Sequence, residues 1–142
     1  MGRARILLAD DHKGMRDRAL RLLEPEFEVV GAVTDGGALL DAASQMKPDV
    51  CVLDISMPIV SGIKAAARLK ESGSTAKIII LTIHEDPDFV QEALNAGASG
   101  YVLKSRMASD LGTAVKWAMD GRLFISPPCA FATQLEGNHE AT

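Results

Sequence analysis

The chain has 142 residues, 47% hydrophobic and 24% charged, with a formal net charge of -4. That length makes one domain with a full core, the composition excludes a disordered or fibrous chain, and the scattered Lys and Arg form no basic stripe for direct nucleic-acid contact. The longest apolar run, Ile78 to Ile83, is too short to cross a bilayer and the start lacks a signal-peptide core, so a cytoplasmic address without membrane contact is expected.

The first apolar run, Ile6 to Ala9, reads as a strand and stops at the acidic pair Asp10 and Asp11. Met15, Ala19, Leu22 and Leu23 then fall on one helical face, closed by Pro25. A second strand over Glu28 to Val33 leads to a helix carried by Leu39, Ala42, Ala43 and Met46, with Pro48 behind it. Val50 to Leu53 is the third strand and runs into Asp54; within it Cys51 reads as a small buried hydrophobe. Ala66 and Leu69 mark the third helix, ended by Gly73. Lys77 to Ile83 is the fourth strand, with Thr82 near its end, and Phe89, Val90, Ala93 and Leu94 form the fourth helix before Gly97. Tyr101 to Leu103 is the fifth strand, followed at once by Lys104. Leu111, Ala114, Val115, Ala118 and Met119 make the fifth helix, with Trp117 one position off the stripe as a partly buried packing residue, and Gly121 ends it. From Ile125 onward, with Pro127 and Pro128, the pattern lapses, which divides the chain into a domain over 1–124 and a tail or linker over 125–142. Cys129 in that stretch belongs to no ligand-spaced cluster.

The strand runs are continuously apolar rather than alternating, the mark of parallel strands buried on both faces. Five strand-helix units with short connections therefore predict an α/β fold, a five-stranded parallel sheet flanked by five helices. Such sheets place their sites at the carboxyl ends of the strands, beside the topological switch point. Asp10, Asp11, Asp54, Thr82 and Lys104 all stand at such ends. Singly each is unremarked: an acid after a strand commonly caps the next helix, a threonine fills a strand, a lysine decorates a loop. His12 reads as a loop or first-turn surface residue and His84 as an exposed residue at the rim. Together, three converging carboxylates are unfavourable without a cation, and a hard divalent ion such as Mg²⁺ suits an all-oxygen set.

The segments Ile6–His12 (ILLADDH), Val50–Ile63 (VCVLDISMPIVSGI), Ile78–Asp86 (IIILTIHED) and Ala96–Ser105 (AGASGYVLKS) resemble the response-regulator receiver domain of two-component signalling. The likeness covers nearly all of the chain to about Leu123 and is greatest to the receivers of LuxR-type DNA-binding regulators, as the ending AMDGRLFISP also suggests. The resemblance implies a flavodoxin-like (βα)5 domain, not an enzyme in its own right, that takes a phosphoryl group from a sensor histidine kinase and assists its own phosphoryl transfer and dephosphorylation. It implies Asp54 as acceptor, with Mg²⁺ held by the Asp11 and Asp54 carboxylates and the Ser56 carbonyl, and with Asp10 acting largely through water. Lys104 would pair with the phosphoryl group, Thr82 would be the switch hydroxyl and Tyr101 the switch aromatic, turning inward as Thr82 moves; Pro58 and Gly62 match the loop after the acceptor. The readout would be the face of Phe89 to Ala96, Tyr101 and the fifth helix, with a weak phosphorylation-dependent homodimer, and DNA reached only through a downstream effector domain to control transcription. An aspartyl-phosphate phosphatase would want an acid where Ser56 stands, and a dinucleotide site would want glycines where ADDHKG is acidic. The alternative is a receiver-like interaction module that works without phosphorylation.

Overall fold

The computed structural model describes residues 3–57, 60–127 and 129. The elements alternate in chain order: β1 (Arg5–Ala9), α1 (Lys13–Leu23), β2 (Glu28–Val33), α2 (Gly36–Met46), β3 (Val50–Asp54), α3 (Gly62–Glu71), β4 (Lys77–Thr82), α4 (Pro87–Asn95), β5 (Gly100–Leu103), a single 3₁₀ turn over Lys104–Arg106, α5 (Met107–Met119) and β6 (Phe124–Ile125). All strands pair in parallel in the order β2-β1-β3-β4-β5-β6. The chain leaves β1 toward β2 and returns on the other side to β3, so the switch point lies between β1 and β3.

Period-two alternation along the buried strands divides the core into two layers. Leu7, Ala9, Cys51, Leu53, Ile78, Ile80, Tyr101 and Leu103 pack with residues of α2, α3 and α4. Ile6, Leu8, Val50, Val52, Ile79, Leu81 and Val102 pack with α1 and α5. Burial on both faces holds for β3, whose five residues are all buried, and fails for β2, whose residues are half-buried or exposed because it is the sheet edge. Cys51 is buried as expected, and desolvation pushes its thiol up to about 12.

Local chemistry sets the boundaries. His12, Asp35, Ser61 and Asp86 cap α1 to α4 by accepting a backbone N–H, and Gly73, Gly97 and Gly121 take positive φ just past α3, α4 and α5. β4 stops at Thr82, leaving Ile83 74% exposed rather than in the strand. Met119, placed on the apolar stripe by its spacing, is 45% exposed because α5 ends there. Trp117 is half-buried, edge-on to Phe124 with the Arg122 guanidinium 3.9 Å from its ring centre.

The packing continues past 124. β6 adds a sixth, two-residue strand beside the five expected; Ser126 and Cys129 are fully buried. The strand runs only over Phe124–Ile125, too short for its apolar period to register in the sequence.

Gly62 decides how the chain returns to the site. Its N–H donates to the Ile55 carbonyl at 3.1 Å, and a Cβ there would lie 2.3 Å from the Asp54 carbonyl oxygen. Gly62→Ala must therefore push α3 off the end of β3, and we expect it to cost about 2 kcal/mol, read as a lowered urea midpoint.

Candidate functional site

The β1–β3 register pairs Ala9 with Leu53, which brings Asp10 level with Asp54, the last residue of β3. Asp10 and Asp54 continue the rows of Ile6 and Leu8 and of Val50 and Val52, and Lys104 continues the row of Val102. Thr82 continues the other row, that of Ile78 and Ile80, and shares it with Tyr101. Strand parity thus sorts the expected residues into a charged group on the α1/α5 side of the strand ends and a hydroxyl pair on the α4 side.

Carboxylate oxygens of Asp10, Asp11 and Asp54 lie within 4.8 Å of one another, with Asp10 and Asp54 buried and Asp11 exposed. Lys104 Nζ stands 3.1 Å from Asp54 Oδ1 and 4.0 Å from Asp10 Oδ2. Burial and the nearby Asp10 charge raise the Asp54 pKa above the ordinary carboxylate value, opposed by Lys104 and by the Ser56 N–H, which donates to Oδ1 at 3.2 Å. One oxygen of Asp10 is occupied by the His12 N–H at 2.8 Å. The other, Oδ2, is buried without a hydrogen-bond partner among the described residues, the lysine being beyond hydrogen-bond reach. A buried orphan oxygen beside two further carboxylates, one of them open to solvent, fits a hard divalent cation that keeps some of its waters.

Neither Asp10 nor Asp11 caps α1; His12 does, its Nδ1 accepting from the Met15 N–H at 3.2 Å while the side chain stays exposed. Ser56 is exposed at the mouth of the site, and Pro58 lies outside the described residues. His84 is half-buried rather than freely exposed, because its ring stacks on Phe89 with centroids 4.1 Å apart.

On the α4 side, Thr82 Oγ1 accepts the His84 N–H at 3.0 Å and the Tyr101 hydroxyl donates to the His84 carbonyl at 2.8 Å. The two residues therefore hold one peptide segment from both of its polar groups. Tyr101 is fully buried, so its ring already lies inward, without waiting on a displaced Thr82. Desolvation raises its phenol to about 12, with the Thr82 hydroxyl acting the other way.

Two buried polar residues went unread in the sequence, Asp110 and Ser126. Asp110 shares the buried face of α5 with Ala114 and Ala118, and an acid at i, i+4 spacing within an apolar stripe was the available signal. Ser126 had none, since it sits in a segment with no period.

A family model described as "Response regulator receiver domain" matches residues 6–116. The transcriptional regulatory protein DegU of Brevibacillus brevis is 40% identical over 124 residues, covering 86% of this chain and 52% of that protein. DesR of Bacillus subtilis is 38% identical over 124 residues, covering 86% of this chain and 61% of its own length. The chain thus spans between half and two thirds of these relatives. A two-component response regulator of the LuxR family from Aurantimonas superposes with a TM-score of 0.89 at 35% identity, over 95% of this chain and 98% of that one.

Proposed function

Because this chain belongs to the response regulator receiver domain family, we propose that it accepts a phosphoryl group on Asp54 from a sensor histidine kinase and passes the signal on through its α4 side. The observation that supports this best is the Lys104 ammonium 3.1 Å from a buried Asp54 carboxylate, at the mouth of an acidic cluster with one orphan oxygen.

In this reading an Asp54 oxygen attacks the phosphorus of phosphohistidine, the P–N bond breaks, and the imidazole nitrogen leaves with a proton. An acyl phosphate remains. The transfer needs positioning and charge neutralisation more than covalent help. Lys104 neutralises one side of the incoming oxygens, and the Ser56 N–H keeps Asp54 aligned. Asp11, Asp54 and the Ser56 carbonyl would hold Mg²⁺, with Asp10 acting through water; the ion's charge would offset that of the phosphoryl oxygens.

Once phosphorylated, Asp54 offers new acceptors to the Thr82 hydroxyl, whose oxygen otherwise accepts the His84 N–H. A charge-assisted bond from the Thr82 hydroxyl is worth about 1.5–3 kcal/mol, a roughly 10- to 150-fold bias between two loop states. Withdrawal of Thr82 would free the His84 N–H while Tyr101 keeps the carbonyl, so the loop before α4 moves under a fixed ring. The same reading places the protein in the cytoplasm, with DNA reached only through an effector domain outside this chain. A homodimer of the activated form would use α4 and α5, with β6 rather than β5 at the sheet edge.

The test is intact mass after incubation with acetyl phosphate, with Mg²⁺ or with chelator. We expect a gain of one phosphoryl group with Mg²⁺ and essentially none with chelator. Mg²⁺ at ten times its Kd should also stabilise the fold by about 1.4 kcal/mol, seen as a raised Tm. Sedimentation of the same sample with the phosphomimetic BeF3⁻ should show the dimer. A folded protein that binds Mg²⁺ and gains no mass would instead be a phosphorylation-independent interaction module.

A further inference from the structure

Ser126 is fully buried and makes three hydrogen bonds that close the sheet beyond β6. Its N–H donates to the Tyr101 carbonyl at 2.9 Å, its Oγ accepts the Leu103 N–H at 3.0 Å, and the same hydroxyl donates to Asp110 Oδ2 at 2.8 Å. The last N–H of β5 thus meets a side chain where a longer β6 would have offered a carbonyl. Asp110 is buried in turn, and accepts also from Arg106 Nε at 2.9 Å and from the Ser109 hydroxyl at 2.9 Å. Burial works to raise the Asp110 pKa, but these three donors outweigh it and hold the carboxyl below its ordinary value.

The place of this knot is what matters. Leu103 precedes the turn that carries Lys104 and Arg106 ends it, and Lys104 supplies the ammonium beside Asp54. Ser126 grips the turn at Leu103, Asp110 grips it at Arg106, and the bond between Ser126 and Asp110 joins the two grips. A lysine head on a four-carbon stem has many rotamers, so a fixed backbone anchor narrows where its charge can stand. We propose that Ser126 and Asp110 are positioning residues for Lys104, so that the segment following α5 sets the rate at which Asp54 takes a phosphoryl group. This rests on the function proposed above.

The experiment measures the rate of mass gain with acetyl phosphate and Mg²⁺ on the full chain; the Asp54 oxygen attacks phosphorus, the P–O bond to the acetyl group breaks, and acetate leaves. Ser126→Ala is expected to slow uptake roughly tenfold, the equivalent of one lost hydrogen bond in a charged network. Ser126→Thr, which keeps the hydroxyl, should recover most of the rate. In a Lys104→Ala background Ser126→Ala should change nothing further, because the effect runs through the ammonium. Asp110→Asn, isosteric and weaker as an acceptor, carries the same comparison if Ser126→Ala fails to fold. A folded variant that phosphorylates at the wild-type rate, or that slows equally with and without Lys104, would overturn the proposal. If the wild-type chain itself takes no phosphoryl group, the proposed function has failed instead.

Discussion

Asp54→Asn is expected to abolish phosphoryl uptake from acetyl phosphate and, in the metal-free protein, to raise the melting temperature. The loss of uptake follows from the proposed role, since an amide oxygen is no nucleophile for phosphorus at neutral pH and, among the described residues, no other buried carboxylate stands against Lys104 at 3.1 Å. The gain in stability follows from electrostatics alone. Burial and the adjacent Asp10 raise the Asp54 pKa in the folded chain, so the fold prefers the protonated acid. A carboxyl with a raised folded pKa contributes stability that is full below the unfolded value and is lost as pH rises through the folded one. Wild-type Tm without metal should therefore drop, from about pH 4 upward, by more than that of Asp54→Asn. At neutral pH we expect the variant to be the more stable, because the Asp10 carboxylate still faces Lys104 while one of two neighbouring buried negative charges is gone. Thermal melts across pH, with and without Mg²⁺, check both halves. Undiminished uptake by Asp54→Asn would move the acceptor elsewhere.

Lys104→Ala should lower the phosphorylation rate about 100-fold, the scale on which a single preorganised charge acts at a transition state. Its ammonium is mostly buried and serves two carboxylates at once, at 3.1 Å and 4.0 Å. Its loss leaves Asp10 and Asp54 facing each other without a counter-charge. The metal-free variant should consequently be destabilised by about 2 kcal/mol, with Mg²⁺ restoring part of the difference. Stopped-time mass spectrometry gives the rate and calorimetry the stability. A rate within threefold of wild type would remove Lys104 from the transfer, where "threefold" is roughly the scatter of a surface substitution.

Strand identity and the direction of the sheet were legible because β1, β3, β4 and β5 are continuously apolar runs between helical periods, which only a parallel, doubly covered sheet accommodates. The charged group was legible for the same reason: Asp10, Asp54 and Lys104 stand where apolar runs end, and all ends of a parallel sheet open together. Family membership bears out that reading of the fold.

What the linear pattern could not carry were the features set by partners distant in sequence. That β2 is an edge strand depends on which strands pair, and its apolar residues look like those of β3. Tyr101 lies inward because the His84 carbonyl is there to accept its hydroxyl, seventeen residues away. The knot of Asp110 and Ser126 needs β5, the 3₁₀ turn, α5 and the segment beyond β6 to be assembled at one place. Residue type and period are written along the chain and determine strands, helices and the row each residue belongs to. Hydrogen bonds between remote groups depend on distances of a few ångströms, and those exist only once the chain has folded.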